Sequence, residues 1–126
     1  MGLLDSLRKR TDKQLTGDSG EDQALYYLQE RRLTLIERNF RCKGGEIDLI
    51  MQDQAVLVFV EVRKRAAGAE QFGGAAASVT PAKQRRLIVA AQVYLKRYRH
   101  PPACRFDVVT IDGDKLAWLK NAIEAL

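Results

Sequence analysis

A chain of 126 residues fits one domain and can bury about two thirds of its unfolded surface without help from disulfides or a structural metal. Its 46% hydrophobic and 29% charged residues exclude a disordered or fibrous protein. No apolar run approaches the ~20 residues that a membrane-crossing helix needs, so no membrane partner is expected. The net charge of +5 is modest, but its carriers are clustered, at Arg8-Lys9-Arg10, Arg31-Arg32, Arg63-Lys64-Arg65, Lys83 with Arg85-Arg86, and Lys96-Arg97 with Arg99. Such a surface suits a polyanion, nucleic acid above all, although ordinary solvation explains any single cluster. Cys42 and Cys104 lie far apart, without a Cys or His neighbour at ligand spacing, and read as free thiols of a cytoplasmic protein.

Residues 1–18 are polar, basic and weakly patterned, which predicts a mobile arm ahead of a single domain over 19–126. The basic residues of this arm follow its short apolar part, unlike a secretory signal. Asp18 and Ser19 both suit a helix N-cap, and Ala24, Leu25 and Leu28 recur at helical spacing up to about Arg32. Residues 33–40 are rich in apolar and β-branched side chains and read as a strand. Lys43-Gly44-Gly45 turns the chain into a second strand over 46–51. A turn at Asp53-Gln54 leads to a third over 56–62, where Val56-Leu-Val-Phe-Val-Glu-Val62 is the strongest strand signal of the chain.

The segment 63–79, with its glycines and alanine run, reads as a loop. Thr80-Pro81 begins a helix, with Thr as N-cap and Pro at the first helical position. Its apolar stripe runs through Leu87, Ala91, Tyr94 and Tyr98, and Pro101-Pro102 ends it. A strand over 105–111, a turn at Asp112-Gly113-Asp114 and a further extended segment over 115–119 follow. The tail 121–126 suits a terminal helical turn. Three strands joined by short turns form an antiparallel meander, and the helical connection lets the next strand join in parallel. The expected fold class is therefore α/β, a mixed sheet flanked by helices.

With Asp53-Gln54 as a two-residue turn, Asp48 is expected opposite Phe59, and Glu46 opposite Glu61. Glu46, Asp48, Glu61 and Arg63 then share one face, with Asp48 and Glu61 as diagonal neighbours roughly 7–8 Å apart. A hard divalent cation fits between them, whereas without one the repulsion would keep a proton on the pair. A salt-bridged exposed sheet face, with Arg63 on Glu61, is the alternative. Glu21 lies on or beside the buried stripe of the first helix, either as a carboxylate needing a partner or metal or as a charge on the helix dipole. Lys83, Arg85 and Arg86 crowd the start of the second helix, where the dipole disfavours cations. A docked phosphate explains that placement, and so does simple tolerance of exposed charge.

Glu46-Ile-Asp-Leu-Ile, Val58-Phe-Val-Glu-Val-Arg-Lys-Arg65, Thr80-Pro-Ala-Lys-Gln-Arg-Arg-Leu87, Arg38-Asn39-Phe40-Arg41 and Arg105-Phe106-Asp107-Val108-Val109 together resemble the YraN family of small bacterial proteins. The resemblance runs from about Gly20 to Ile123. It implies the restriction-endonuclease-like αβββαβ core, near archaeal Holliday-junction resolvases, and a metal-dependent nuclease site of the PD-(D/E)xK pattern. Under that pattern Asp48 and Glu61 are metal ligands, Val62 adds its backbone carbonyl, and Glu21 is the helix carboxylate. Lys83 and Gln84 face the substrate phosphate, while basic residues including Arg65 and Arg86 track the backbone.

The implied cofactor is Mg²⁺ or Mn²⁺ and the implied partner is nucleic acid, DNA first, with branched structures and a homodimer as extensions. Arg63 stands where the pattern has lysine. A guanidinium stays charged and can stabilise or orient but not accept a proton. The alternative is accordingly a nucleic-acid-binding or accessory module that kept the fold without the chemistry.

Overall fold

The structure, a computed structural model, describes residues 19–65 and 76–123. The arm expected over 1–18, most of the loop 63–79 and the end of the tail lie outside these residues.

Helix α1 (Ser19–Glu30) is followed by strands β1 (Thr34–Cys42), β2 (Gly45–Asp53) and β3 (Val56–Arg65). A 3₁₀ turn (Ala76–Ser78) precedes helix α2 (Pro81–Leu95), and strands β4 (Cys104–Asp112) and β5 (Lys115–Leu119) complete the order. The five strands form one sheet in sequence order. β3 and β4 run parallel and every other neighbouring pair antiparallel. This is the mixed sheet expected of an αβββαβ core.

Local chemistry explains the helix ends. Thr80 caps α2, its Oγ1 accepting the N–H of Lys83 at 3.3 Å, with proline at the first position. α1 closes with the N–H of Leu33 on Leu28 O and that of Arg32 on Gln29 O, while Arg32 takes the left-handed conformation at φ 73°. α2 stops at Leu95, short of the expected stop at the prolines. Lys96, Arg97 and Tyr98 each donate to the carbonyl three residues back, so the chain tightens before Pro101-Pro102.

Two apolar layers sandwich the sheet. α1 lays Ala24, Leu25 and Leu28 on Leu49, Met51, Val58, Val60, Val109 and Ile111. α2 lays Leu87, Ala90, Ala91 and Tyr94 on Ile47, Ile50, Leu57, Phe59, Phe106 and Val108. Each large side chain buried in this way contributes about 1.5–3 kcal/mol.

The hairpin register differs from the expected one. Asp53 pairs with Val56 and Gln52 with Leu57, so the turn is Gln54-Ala55, with Gln54 at φ 55°. Asp53 stays in the strand because Arg105 holds its carboxylate at 3.0 Å. The loop still has two residues, so Asp48, Glu61 and Arg63 keep their shared face, and continuing the ladder past Leu49↔Val60 brings Asp48 opposite Glu61 rather than Phe59.

A second departure sits one strand away. Ile47 and Phe40 pack on the α2 layer, whereas Leu49 packs on the α1 layer and its partner Arg38 bonds to Asp22 of α1. Residues two apart should share a face, so both strands rotate between these pairs. The rotation centres on Asn39, at φ 54°, and Asp48, which stands between Leu49 and Ile47 in the register. Asparagine tolerates the left-handed region better than most residues.

Candidate metal and phosphate site

Asp48 sits where β2 leaves the regular ladder. Its Oδ2 accepts the backbone N–H of Val62 at 2.8 Å, a side chain doing there what a neighbouring carbonyl does elsewhere in the sheet. Glu61, on β3, hydrogen-bonds to the Asp48 carboxylate, and its side chain is only 13% exposed. Burial, then the hydrogen bond and the charge of Asp48, push the Glu61 carboxyl up from its ordinary 4.5 to about 9, against the opposing pull of Arg63 and Lys83. At neutral pH the pair therefore retains a proton.

Three cations close the site. Arg63 lies two residues beyond Glu61 on the same face, its NH1 4.0 Å from Glu61 Oε2. Its Nε donates to Ser78 Oγ at 2.8 Å, which ties the 3₁₀ turn to the sheet. Lys83 and Arg86 come from the first turns of α2, and Arg86 NH2 is 3.8 Å from Glu46 Oε1. Glu46, Asp48, Glu61, Arg63, Lys83 and Arg86 line one small cavity of about 90 Å³.

The approach of α2 depends on Gly45. A side chain there would collide with the backbone of Arg86 and Ala90, so glycine lets the helix lie directly on the strand that carries Asp48.

The cavity gathers Asp48, Glu61, Arg63, Lys83 and Arg86 of the residues singled out in the sequence, and Glu46 with them. Val62 meets it through its N–H. Gln84 turns away, its Nε2 donating to Val79 O at 3.2 Å. Arg65 is exposed at the far end of β3, and its carbonyl accepts the N–H of Gly113. Glu21 does not line the cavity. Arg38 NH2 lies 3.5 Å from its Oε1, and the Asn39 amide, oriented with nitrogen toward the carboxylate, donates to both oxygens at 3.2–3.3 Å. Lys64 lies on the opposite face, its stem beside Gly20 of α1.

Ser78 escaped the sequence reading because a serine in a glycine–alanine loop carries no sign of the distant arginine it will hold. A second polar cluster was also missed as a unit. Asp107 is fully buried. It accepts from Arg105 Nε at 3.0 and 3.2 Å and from NH2 at 3.2 Å, from Trp118 Nε1 at 2.9 Å, and from the Asn121 N–H at 2.8 Å. Burial opposes the charge of Arg105, but its bonds to Asp107 and Asp53 outweigh that and raise its pKa.

The donor set bears on a divalent cation in two ways. Among the described residues, no group of three or more His, Cys, Asp or Glu side chains is disposed to hold a metal. Asp48 and Glu61 nevertheless supply two facing carboxylates whose repulsion a cation would relieve, and Mg²⁺ is commonly held by one or two carboxylates with water and phosphate oxygens completing its shell.

An αβββαβ sheet with an acidic pair on its hairpin and cations at the start of its second helix defines a protein of the restriction-endonuclease-like class. The chain belongs to the uncharacterised protein family UPF0102, whose profile matches residues 20–111. It is 66% identical to a UPF0102 protein of Janthinobacterium sp. (strain Marseille) over 99% of this chain and all of that one. It is 67% identical to UPF0102 protein HEAR0176 of Herminiimonas arsenicoxydans over 94% of both. With a UPF0102 protein of Ralstonia pickettii (strain 12J) it shares 63% identity over 85% of this chain and 88% of the relative. Among the described residues no helix is long and apolar enough to cross a membrane.

Proposed function

We propose that the protein hydrolyses phosphodiester bonds of nucleic acid, DNA in the first place, with Mg²⁺ or Mn²⁺ held by Asp48 and Glu61. The observation that carries this reading is the geometry, the Asp48 and Glu61 carboxylates and three cations lining one cavity. Two ionised carboxylates buried together are destabilising unless a proton or a cation neutralises part of their charge. A divalent cation would do so, and when bound it would neutralise phosphate charge and acidify water.

The chain's own groups divide the remaining work. Asp48, held by the Val62 N–H, fixes one carboxylate without rotational freedom. Glu61, whose carboxyl is held protonated by burial and by Asp48, would give up that proton to hold the cation. Lys83, beside the capped start of α2, and Arg86 offer charge to a phosphate. Arg63, oriented by Ser78, points a permanently charged guanidinium at the same place and stabilises negative charge on phosphate oxygens. Besides the acidic pair, only the half-exposed Glu46 carboxylate lines the cavity as an acceptor for a proton from water, and Arg86 stands 3.8 Å from it, so the reading predicts slow chemistry.

The arginine at position 63 also favours a second reading, a nucleic-acid-binding module without cleavage. The two separate in an assay on labelled single-stranded, duplex and four-way-junction DNA with Mg²⁺, Mn²⁺ or EDTA. Cation-dependent products absent from Asp48→Ala and Glu61→Ala are expected, with faster cleavage by Arg63→Lys. No product from any substrate, with salt-sensitive binding that survives both acidic substitutions, would instead support the binding module.

A further inference from the structure

A larger cleft lies on the same face of the sheet as the carboxylate pair. Its volume is about 310 Å³, and Gln52, Ala55, Leu57, Tyr98, His100 and Pro102 line it. The walls are mostly apolar, with the Gln52 amide and the His100 imidazole as polar edges, and the size falls within the roughly 300–1,000 Å³ of ligand clefts. They are also fixed in place. Tyr98 hydrogen-bonds to the phenol of buried Tyr94, with ring centroids 6.1 Å apart. The Gln52 amide donates to Gln54 O at 3.0 Å.

We propose that this cleft receives one unstacked nucleobase of the strand whose phosphate enters the carboxylate cavity. The inference rests on the nucleic-acid reading above and adds to it a substrate class, a strand with an unpaired base at a set distance from the scissile phosphate. Charge complementarity identifies the occupant. Exposed Lys96 and Arg99 adjoin the cleft residues Tyr98 and His100 in the chain, while Arg97 lies over the Tyr94 ring at 3.7 Å, so a largely apolar slot has cations close by in sequence. Glu37, the acidic neighbour on β1, is paired to Arg97 at 3.6 Å. A base linked to phosphates matches both parts, since aromatic rings take its faces and lysine or arginine its backbone.

The spacing is fixed by the fold. Gln52 follows Asp48 by four residues on one face of β2, or about 13 Å. α2 connects the two sites, with Lys83 and Arg86 at one end and Lys96 just past the other. The ~13 Å along β2 equals roughly four stacked nucleotides at ~3.4 Å each, and fewer in an extended strand.

The test is binding without cleavage, read by fluorescence anisotropy in EDTA. Twelve-nucleotide single strands of DNA and RNA would each carry one abasic site, moved position by position. The expected result is a single position where loss of the base weakens binding about tenfold. That dependence would disappear in Ala55→Trp, which fills the cleft from an exposed turn residue, and in His100→Ala. Salt-sensitive binding with a flat abasic scan would overturn the base-capture inference and leave the hydrolysis reading standing. Position-specific binding by a protein that cleaves nothing would uphold base capture and sink hydrolysis. Absence of binding to either sugar type at low salt would sink both.

Discussion

Two carboxylate clusters on this small sheet, around Asp107 and around Asp48 and Glu61, have opposite constructions. Asp107, on the α1 side, has its carboxylate filled by Arg105, Trp118 and the Asn121 backbone, and Arg105 reaches on to Asp53. Asp48 and Glu61, on the α2 side, face each other and keep a proton while three cations stand around them. The first cluster is complete within the chain and ties the β2–β3 turn, β4, β5 and the C-terminal turn together. Under the proposed function, the second would be completed by a cation from outside. Burial of charge thus serves anchoring in one place and, under the proposed function, binding in the other.

Removing the anchor should have the largest effect. Asp107→Ala leaves the Arg105 guanidinium without its main partner and is expected to cost about 3–5 kcal/mol in denaturant unfolding. A loss below ~1 kcal/mol would show that the network is decoration.

The opposite sign is expected at the other cluster. The unfolded chain releases the Glu61 proton near 4.5, whereas the folded state keeps it to about 9. Between those values the folded state binds more protons, so this group's contribution is fully present below 4.5 and is lost as pH rises toward 9. Glu61→Gln should therefore stabilise the protein at pH 8 by on the order of 2 kcal/mol and flatten its stability–pH curve. Wild type and variant with parallel curves from pH 5 to 9 would contradict the protonated pair.

Cation binding sharpens the contrast further. Mg²⁺ or Mn²⁺ at tenfold excess over its dissociation constant should raise wild-type stability by about 1.4 kcal/mol, more steeply at pH 8 than at pH 6 because a proton must leave. Asp48→Ala should show no such rise in thermal melts, and Asp107 variants should keep it. The smallest expected effect is that of Trp118→Phe, which removes one of several donors to Asp107 and should cost about 1 kcal/mol by chemical denaturation.

The acidic site was more legible than the anchor, for reasons of range. Asp48, Glu61 and Arg63 lie on one hairpin, and a period of two with an even turn assigns them to one face even though the turn sits one residue further on than expected. Lys83 was readable as an oddity, a cation where the helix dipole disfavours it. Asp107 gave no local signal. Arg105 is two residues away on the same strand, but the other partners, Trp118 and the Asn121 N–H, become adjacent only when β5 folds back on β4.

Alternation, turn residues and the Thr80-Pro81 start determined by themselves the element order, the antiparallel meander, the parallel return and the shared face of the acidic pair, because these depend on short-range stereochemistry. Tertiary structure decided where the strands rotate, at Asn39 and Asp48, and that Glu21 is taken up by Arg38 and Asn39 away from the cavity. It also decided that Gly45 admits α2 to contact distance and that Ser78 orients Arg63. Each of these joins residues whose proximity exists only once the sheet has twisted and both helices have packed, and no periodicity along the chain encodes it.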